Sequence, residues 1–291
     1  MRHPSRELRV LALAASAGLA LAFHTIGSGG FGSKWDDPTW GTGARITWSF
    51  MTPGVGLAAN PALSSWSGTN TLGSGDPDFD IRTKIDAEFG AGSFDAAVRR
   101  AFATWSAAAD VRFVEVEDSG ADMGGSAGAP DVRIGAFHFA PGDVSGGAGF
   151  GPPGDDLHFP DALAGDLALN DLDRFTIAPG PEGSAIPTDA GAYLNDVEGL
   201  VLHEIGHTLG LAHSDVVAAV MCGYVYPGDV FDGSACDYSH VNRVLDPDDV
   251  AGIRLLYGAA ASVVPVASPW LLGPALLGIG VRALARRRRA A

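Results

Sequence analysis

The stretch His203-Glu204-Ile205-Gly206-His207-Thr208-Leu209-Gly210-Leu211-Ala212-His213 constrains this chain more than any other part of it. Residues four apart share one face of an α-helix, so the imidazoles of His203 and His207 can converge on a single ion. Val197, Leu200, Val201, Ile205 and Leu209 give the segment a buried side, and Asn195 with Glu198 has the spacing of a capping box, which predicts a helix starting there. Gly210 can take a left-handed turn that stops the helix, and the reversed chain then brings in His213 as a third nitrogen ligand. Three neutral imidazoles leave the fourth tetrahedral position to water, the arrangement of a catalytic rather than a structural zinc site. Glu204 points about 100° away from the ligands around the helix. It is therefore read as the general base that takes a proton from a zinc-activated water. At this chain's residue frequencies five such fixed positions arise by chance with a probability on the order of 10⁻⁵, so a helix with incidental surface histidines is set aside.

Charge narrows the partners. The formal net charge is −15, yet basic residues gather at the two ends, as Arg2, Arg6 and Arg9 and as Arg282 and Arg286 to Arg289. The middle is thus more acidic than the whole, and a groove tracking phosphates would lack its cations. Nucleic-acid binding is excluded. Arg2, Arg6 and Arg9 precede an apolar run, Val10 to Ala22, that closes with the small-x-small pattern Ala20-Leu21-Ala22; residues 1–22 read as a secretory signal peptide. Val263 to Val281 is apolar apart from two serines and is followed by the arginine block, which should hold the extreme C-terminus in the cytoplasm. The order Val264-Pro265-Val266, apolar helix, arginine cluster resembles sorting tails of the PEP-CTERM type, which an exosortase processes. A plain membrane anchor is the alternative, and either places the middle of the chain outside the cytoplasmic membrane. In an oxidising compartment the only cysteines, Cys222 and Cys236, are expected to form a disulfide, with two free thiols as the alternative.

Between the ends, residues 23–43 read as a Gly-rich linker and 44–258 as one domain. Ile46, Trp48 and Phe50 alternate with polar residues as in a half-buried strand. Residues 52–92, rich in Gly, Pro, Ser and Asn, read as an insertion. From Ser93, a candidate N-cap, Phe94, Ala97, Val98, Ala101, Phe102 and Trp105 recur at helical spacing. Val111 to Val116, Val132 to Phe137, Leu157 to Phe159 and Asp166 to Asn170 read as strands, with Gly/Asp loops at 118–131 and 143–156. The pattern is that of a mixed α/β domain with a partly parallel sheet. Residues 259–291 form the tail.

The histidine motif, Ser214 after it, and Ala219-Val220-Met221, which is similar to a Met-turn, together resemble a metzincin zinc peptidase, and more narrowly a matrixin of the matrix metalloproteinase kind. Leu245 to Gly258, with Asp246 as N-cap and Pro247 at the first helical position, is similar to that family's closing helix. Phe94 to Val116 resembles its first helix and second strand, and the likeness spans residues 44 to 258. The resemblance implies a twisted, mostly parallel five-stranded sheet with three helices and an active-site helix followed by the Met-turn.

Departures from the family shape the remaining expectations. His138 and His158 could fill two places of its structural zinc site, but Ala168 stands where a third ligand is expected, so one zinc per chain is expected and these histidines read as ordinary polar residues. The Asp-rich loops offer oxygens for calcium without a spacing that fixes a site. No cysteine-bearing latency motif precedes the domain. Met221 is followed by Cys222-Gly223-Tyr224-Val225-Tyr226-Pro227 rather than Tyr-Pro, leaving Tyr224 or Tyr226 to line the pocket for the residue after the scissile bond. The leading reading is an exported, monomeric zinc endopeptidase that takes extended peptide along the Leu157 to Phe159 edge. A surface-displayed binding protein that kept the fold and lost turnover is the alternative.

Overall fold

A computed structural model describes Thr25 and residues 33–125, 130–143, 145–154, 161–189, 192–223 and 236–261. The chain divides into two units, Met1–Ala260 and Ala261–Ala291. The signal segment, the apolar tail, the Leu157 to Phe159 strand, His158, Tyr224 and Tyr226 all lie outside the described residues. Among the described residues no helix is long and apolar enough to cross a membrane.

Five strands form the central sheet: β1 (Ala44–Phe50), β2 (Val111–Glu115), β3 (Val132–Phe137), β4 (Gly147–Gly149) and β5 (Asp166–Asn170). Their order is β2-β1-β3-β5-β4, parallel throughout except where β4 runs antiparallel to β5. β1 alternates because only one side of it meets the core, through Ala44, Ile46 and Trp48. β3 and β5 are buried at every position, as central parallel strands covered on both faces must be. The fold is thus mixed α/β with a mostly parallel five-stranded sheet.

Four α-helices accompany it among the described residues, one more than expected: α1 (Ile81–Phe89), α2 (Ser93–Ala108), α3 (Val197–Thr208) and α4 (Pro247–Tyr257). α2 buries Phe94, Ala97, Val98, Ala101, Phe102, Trp105 and Ala108. Its Trp105 indole donates to the Leu202 carbonyl at 2.9 Å, tying α2 to α3. Ser93 is not its N-cap. Gly92 holds that position in a left-handed conformation, and Asp86 accepts from the N–H groups of Gly92 and Phe94 at 2.9 and 3.0 Å. A carboxylate from the preceding helix thus supplies what a local cap would have given.

Two polar stretches pack more closely than their composition suggests. Within 52–92, Leu72, Ile81 and Ile85 join the main core, while Val55 and Leu63 join a second cluster with Met51, Met123, Phe137 and Phe150. Inside the expected linker, Trp35 is buried; its indole donates to the Thr208 carbonyl at 2.7 Å, and its N–H donates to the Tyr257 hydroxyl at 3.1 Å. An aromatic residue that satisfies helix-end carbonyls gives no periodic signal.

A buried ion pair closes the loop after β2. Asp118 and Arg133 are each about 4% exposed, with Oδ1 2.8 Å from Arg133 Nε. Burial raises the Asp118 carboxyl, but hydrogen bonds from Arg133, Thr52 N–H and Gly120 N–H outweigh it and hold the group well below the ordinary carboxylate range. A depressed folded-state pKa contributes stability above the unfolded value of about 3.9 that is lost as pH falls further. Asp118→Asn should therefore lower stability at pH 7 by about 3 kcal/mol and flatten its dependence on pH below 4. Urea unfolding at pH 7 and pH 3 checks this, and an equal loss at both would show that the charge is not responsible.

Candidate active site

α3 starts one residue later than expected. Its N-cap is Asp196, whose Oδ2 accepts from Gly199 N–H at 3.0 Å, while Asn195 instead donates to Asp173 at 2.7 Å. A carboxylate at a helix N-terminus also meets the helix dipole, which an amide does not.

At the other end Gly210, with φ of 99°, turns the chain back over α3; a methyl group there would strike the Ser33 carbonyl. The turn brings His213 to His203 and His207. Their three Nε2 atoms form a triangle with sides of 3.1, 3.2 and 3.2 Å. His203 Nδ1 lies 2.7 Å from the Val220 carbonyl and His207 Nδ1 lies 2.8 Å from the Leu211 carbonyl. A carbonyl can only accept, so both rings carry their proton on Nδ1 and turn the Nε2 lone pair inward. Lone pairs aimed at one point repel unless a cation lies between them. Nitrogens 2.0–2.1 Å from a shared tetrahedral ion stand about 3.3 Å apart, so the triangle fits zinc. Burial lowers the pKa of both rings, and His207 is held well below the ordinary range with further help from His203 and His213. The neutral form that binds metal is the one the fold favours.

Glu204 is buried beside this cluster, and burial pushes its carboxyl up to about 8 against one hydrogen bond from Gly149 N–H. That donor comes from β4, a strand that its Gly-rich sequence disguised as loop. Phe150 N–H donates to Asp166 and Asn170 N–H donates to Gly146, so the even-numbered residues face β5, and Gly147 and Gly149 turn their backbone groups to the free edge. β4 passes so close to α3 that a methyl on Gly149 would strike the Glu204 carbonyl, and one on Gly147 would come 3.1 Å from Glu204 Cγ. Ala168 is fully buried on β5 opposite Gly135 and Ala148. His138 binds Asp171 through Nδ1 at 2.5 Å.

The loop beneath the histidines is fixed from α4. Asp246 and Asp249 form a capping box there, and Asp249 also accepts from Val220 N–H at 2.8 Å and Met221 N–H at 3.0 Å. Val220 is the residue whose carbonyl orients His203, and Met221 packs under Gly206 and Trp105. Nothing in the sequence pattern marks Asp249 for this role, because its partners lie 28 and 29 positions away. Burial raises the Asp249 carboxyl to about 6 against its three N–H donors. A raised folded-state pKa favours the fold below the unfolded value and loses that contribution as pH rises through 6, so this group does not cause acid unfolding. Asp249→Asn must turn an amide NH₂ toward a backbone N–H. A loss of about 2–3 kcal/mol is expected, with weaker zinc retention, measured by denaturant titration and chelator competition.

Cys222 and Cys236 are joined as a disulfide at the wall of a cleft of about 1060 Å³. The cleft runs between β4 and the segments Ala219 to Cys222 and Asp237 to Tyr238, past all three histidines and Glu204.

Fold and site together define a metal-binding α/β domain of the metzincin kind. Residues 78–258 match the matrixin family, peptidase M10, and the chain belongs to that family. It is 32% identical over 161 residues to Metalloendoproteinase 4-MMP of Arabidopsis thaliana, covering 55% of this chain and 39% of that protein. It is 33% identical over 169 residues to human Matrix metalloproteinase-19, covering 58% of this chain and 27% of that one. With rat Matrilysin it shares 33% over 172 residues, 56% of this chain and 50% of that protein. The chain thus spans from about a quarter to half the length of these relatives.

Proposed function

We propose that the protein is a zinc-dependent endopeptidase, with His203, His207 and His213 as zinc ligands and Glu204 as general base. The observation that carries this is the set of converging Nε2 lone pairs with the Glu204 carboxyl beside them and an open strand edge alongside. Zinc held there supplies Lewis acidity, polarising a carbonyl and acidifying a water. β4 presents Gly147 and the Gly149 carbonyl for main-chain pairing with an extended peptide. Glu204 takes the water's proton and passes it to the leaving amine. Gly149 N–H keeps the carboxyl at the strand edge throughout.

The Cys222–Cys236 disulfide supports work outside the reducing cytoplasm. Export through residues 1–22 and retention through the 259–291 tail belong to the same proposal. The deciding experiment is elemental analysis of the purified protein with a peptide-library digest. One zinc per chain and internal cleavage are expected. Zinc without cleavage would favour the binding-protein alternative, and absence of zinc would end both.

A further inference from the structure

The cleft has an uneven charge. Asp143, Asp173, Asp196, Asp237 and Glu204 line it, and no lysine or arginine of the described residues does. Asp196 is buried and paired with Arg243, Glu204 lies beside the histidines, Asp173 accepts from the Asn195 amide at 2.7 Å, and Asp237 lies 2.7 Å from Nδ1 of His240, which also lines the cleft. Asp143 and Asp237 are exposed, and Asp173 is partly so. Arg174, the basic neighbour of Asp173 in sequence, is itself paired with Asp189. Around the same rim stand apolar side chains open to solvent, Leu172 at 53%, Val217 at 50% and Tyr238 at 65% exposed. A divalent ion on three neutral imidazoles would place positive charge at the centre of this cleft, so a cationic side chain is disfavoured over the metal and favoured at the flanks. The net charge of −15 extends the same bias over longer range.

From this rim we infer that the cleft selects cationic peptides, in which lysine or arginine flanks an apolar residue near the cleaved bond. The inference rests on the endopeptidase reading for its catalytic half only. Carboxylates on a partly enclosed surface focus the field and raise the local concentration of a cationic chain, while the exposed Leu172, Val217 and Tyr238 give its apolar residues somewhere to lie. An anionic chain meets repulsion along the same path.

The test uses the full zinc-loaded chain and three peptides with one apolar centre, flanked by Lys, Gln or Glu. At 20 mM salt, kcat/KM should rank Lys over Gln over Glu, with about a tenfold gap between Lys and Gln. At 500 mM salt, where screening acts within about 4–5 Å, the gap should close. Asp143→Asn with Asp237→Asn should shrink the Lys-to-Gln ratio toward one. Asparagine can still accept the N–H groups of Ser145 and Ser239 that these carboxylates bind, so the turns are retained. A second arm measures binding of labelled versions of the same peptides to the Glu204→Gln protein by fluorescence anisotropy. If the wild-type chain cleaves none of the three while Lys-flanked peptide still binds best, the endopeptidase reading fails and the charge inference stands. Equal binding of all three, a ranking indifferent to salt, or a ratio unchanged by the two asparagines would overturn the charge inference.

Discussion

Glu204→Gln is expected to lower kcat by about 10³-fold or more while leaving zinc bound. Glutamine has the same shape, and its amide oxygen can still accept the Gly149 N–H that now holds the carboxyl. The three Nε2 atoms are untouched, so zinc content measured on the same preparation should stay at one per chain. What disappears is a group able to gain and release a proton. Retention of a tenth of wild-type kcat would show that proton transfer runs through some other group, and loss of zinc would show that Glu204 contributes to holding the ion.

Removing zinc should have an effect on stability as large in its own way. Without a cation the inward lone pairs of His203 and His207, 3.1 Å apart, have nothing to oppose their repulsion. Binding to the folded chain alone adds about 4 kcal/mol at a thousandfold excess over the dissociation constant, and each kcal/mol shifts Tm by about 2–4 °C in a domain of this size. Chelation should therefore lower Tm by roughly 8–16 °C, and restoring zinc should reverse the fall. His207→Ala should melt near the chelated wild-type and gain nothing when zinc is added. An equal gain in both proteins would place the stabilising ion elsewhere.

Helix α3 was legible because its message lies in side chains a fixed distance apart, and β3 and β5 through the apolar Val132, Ile134 and Phe137 and Leu167 and Leu169, despite the buried polar Arg133, Asp166 and Asn170 among them. β4 was not, since three consecutive small residues, Gly147, Ala148 and Gly149, carry no periodicity even though close approach to Glu204 is what requires them. The start of α3 was misplaced by one residue because Asn195 and Asp196 are both good caps, and only the spatial neighbours decide between them. Trp35 and Asp86 were missed for a related reason: each satisfies backbone groups of another element, a debt that only tertiary structure reveals. Leu72 stands alone among polar residues, and Ile81 and Ile85, although four apart as on one helix face, lie in a short mixed stretch with too few apolar residues to announce a core segment.

The dependence of His203 on Val220, and of Val220 on Asp249, bears on how the protein is made. Synthesis runs from the N-terminus, and the ligands leave the ribosome well before α4 does. Until Asp249 emerges, the backbone beneath His203 has no anchor. A nascent chain, or one broken off before α4, therefore carries all three histidines without the support that aims His203.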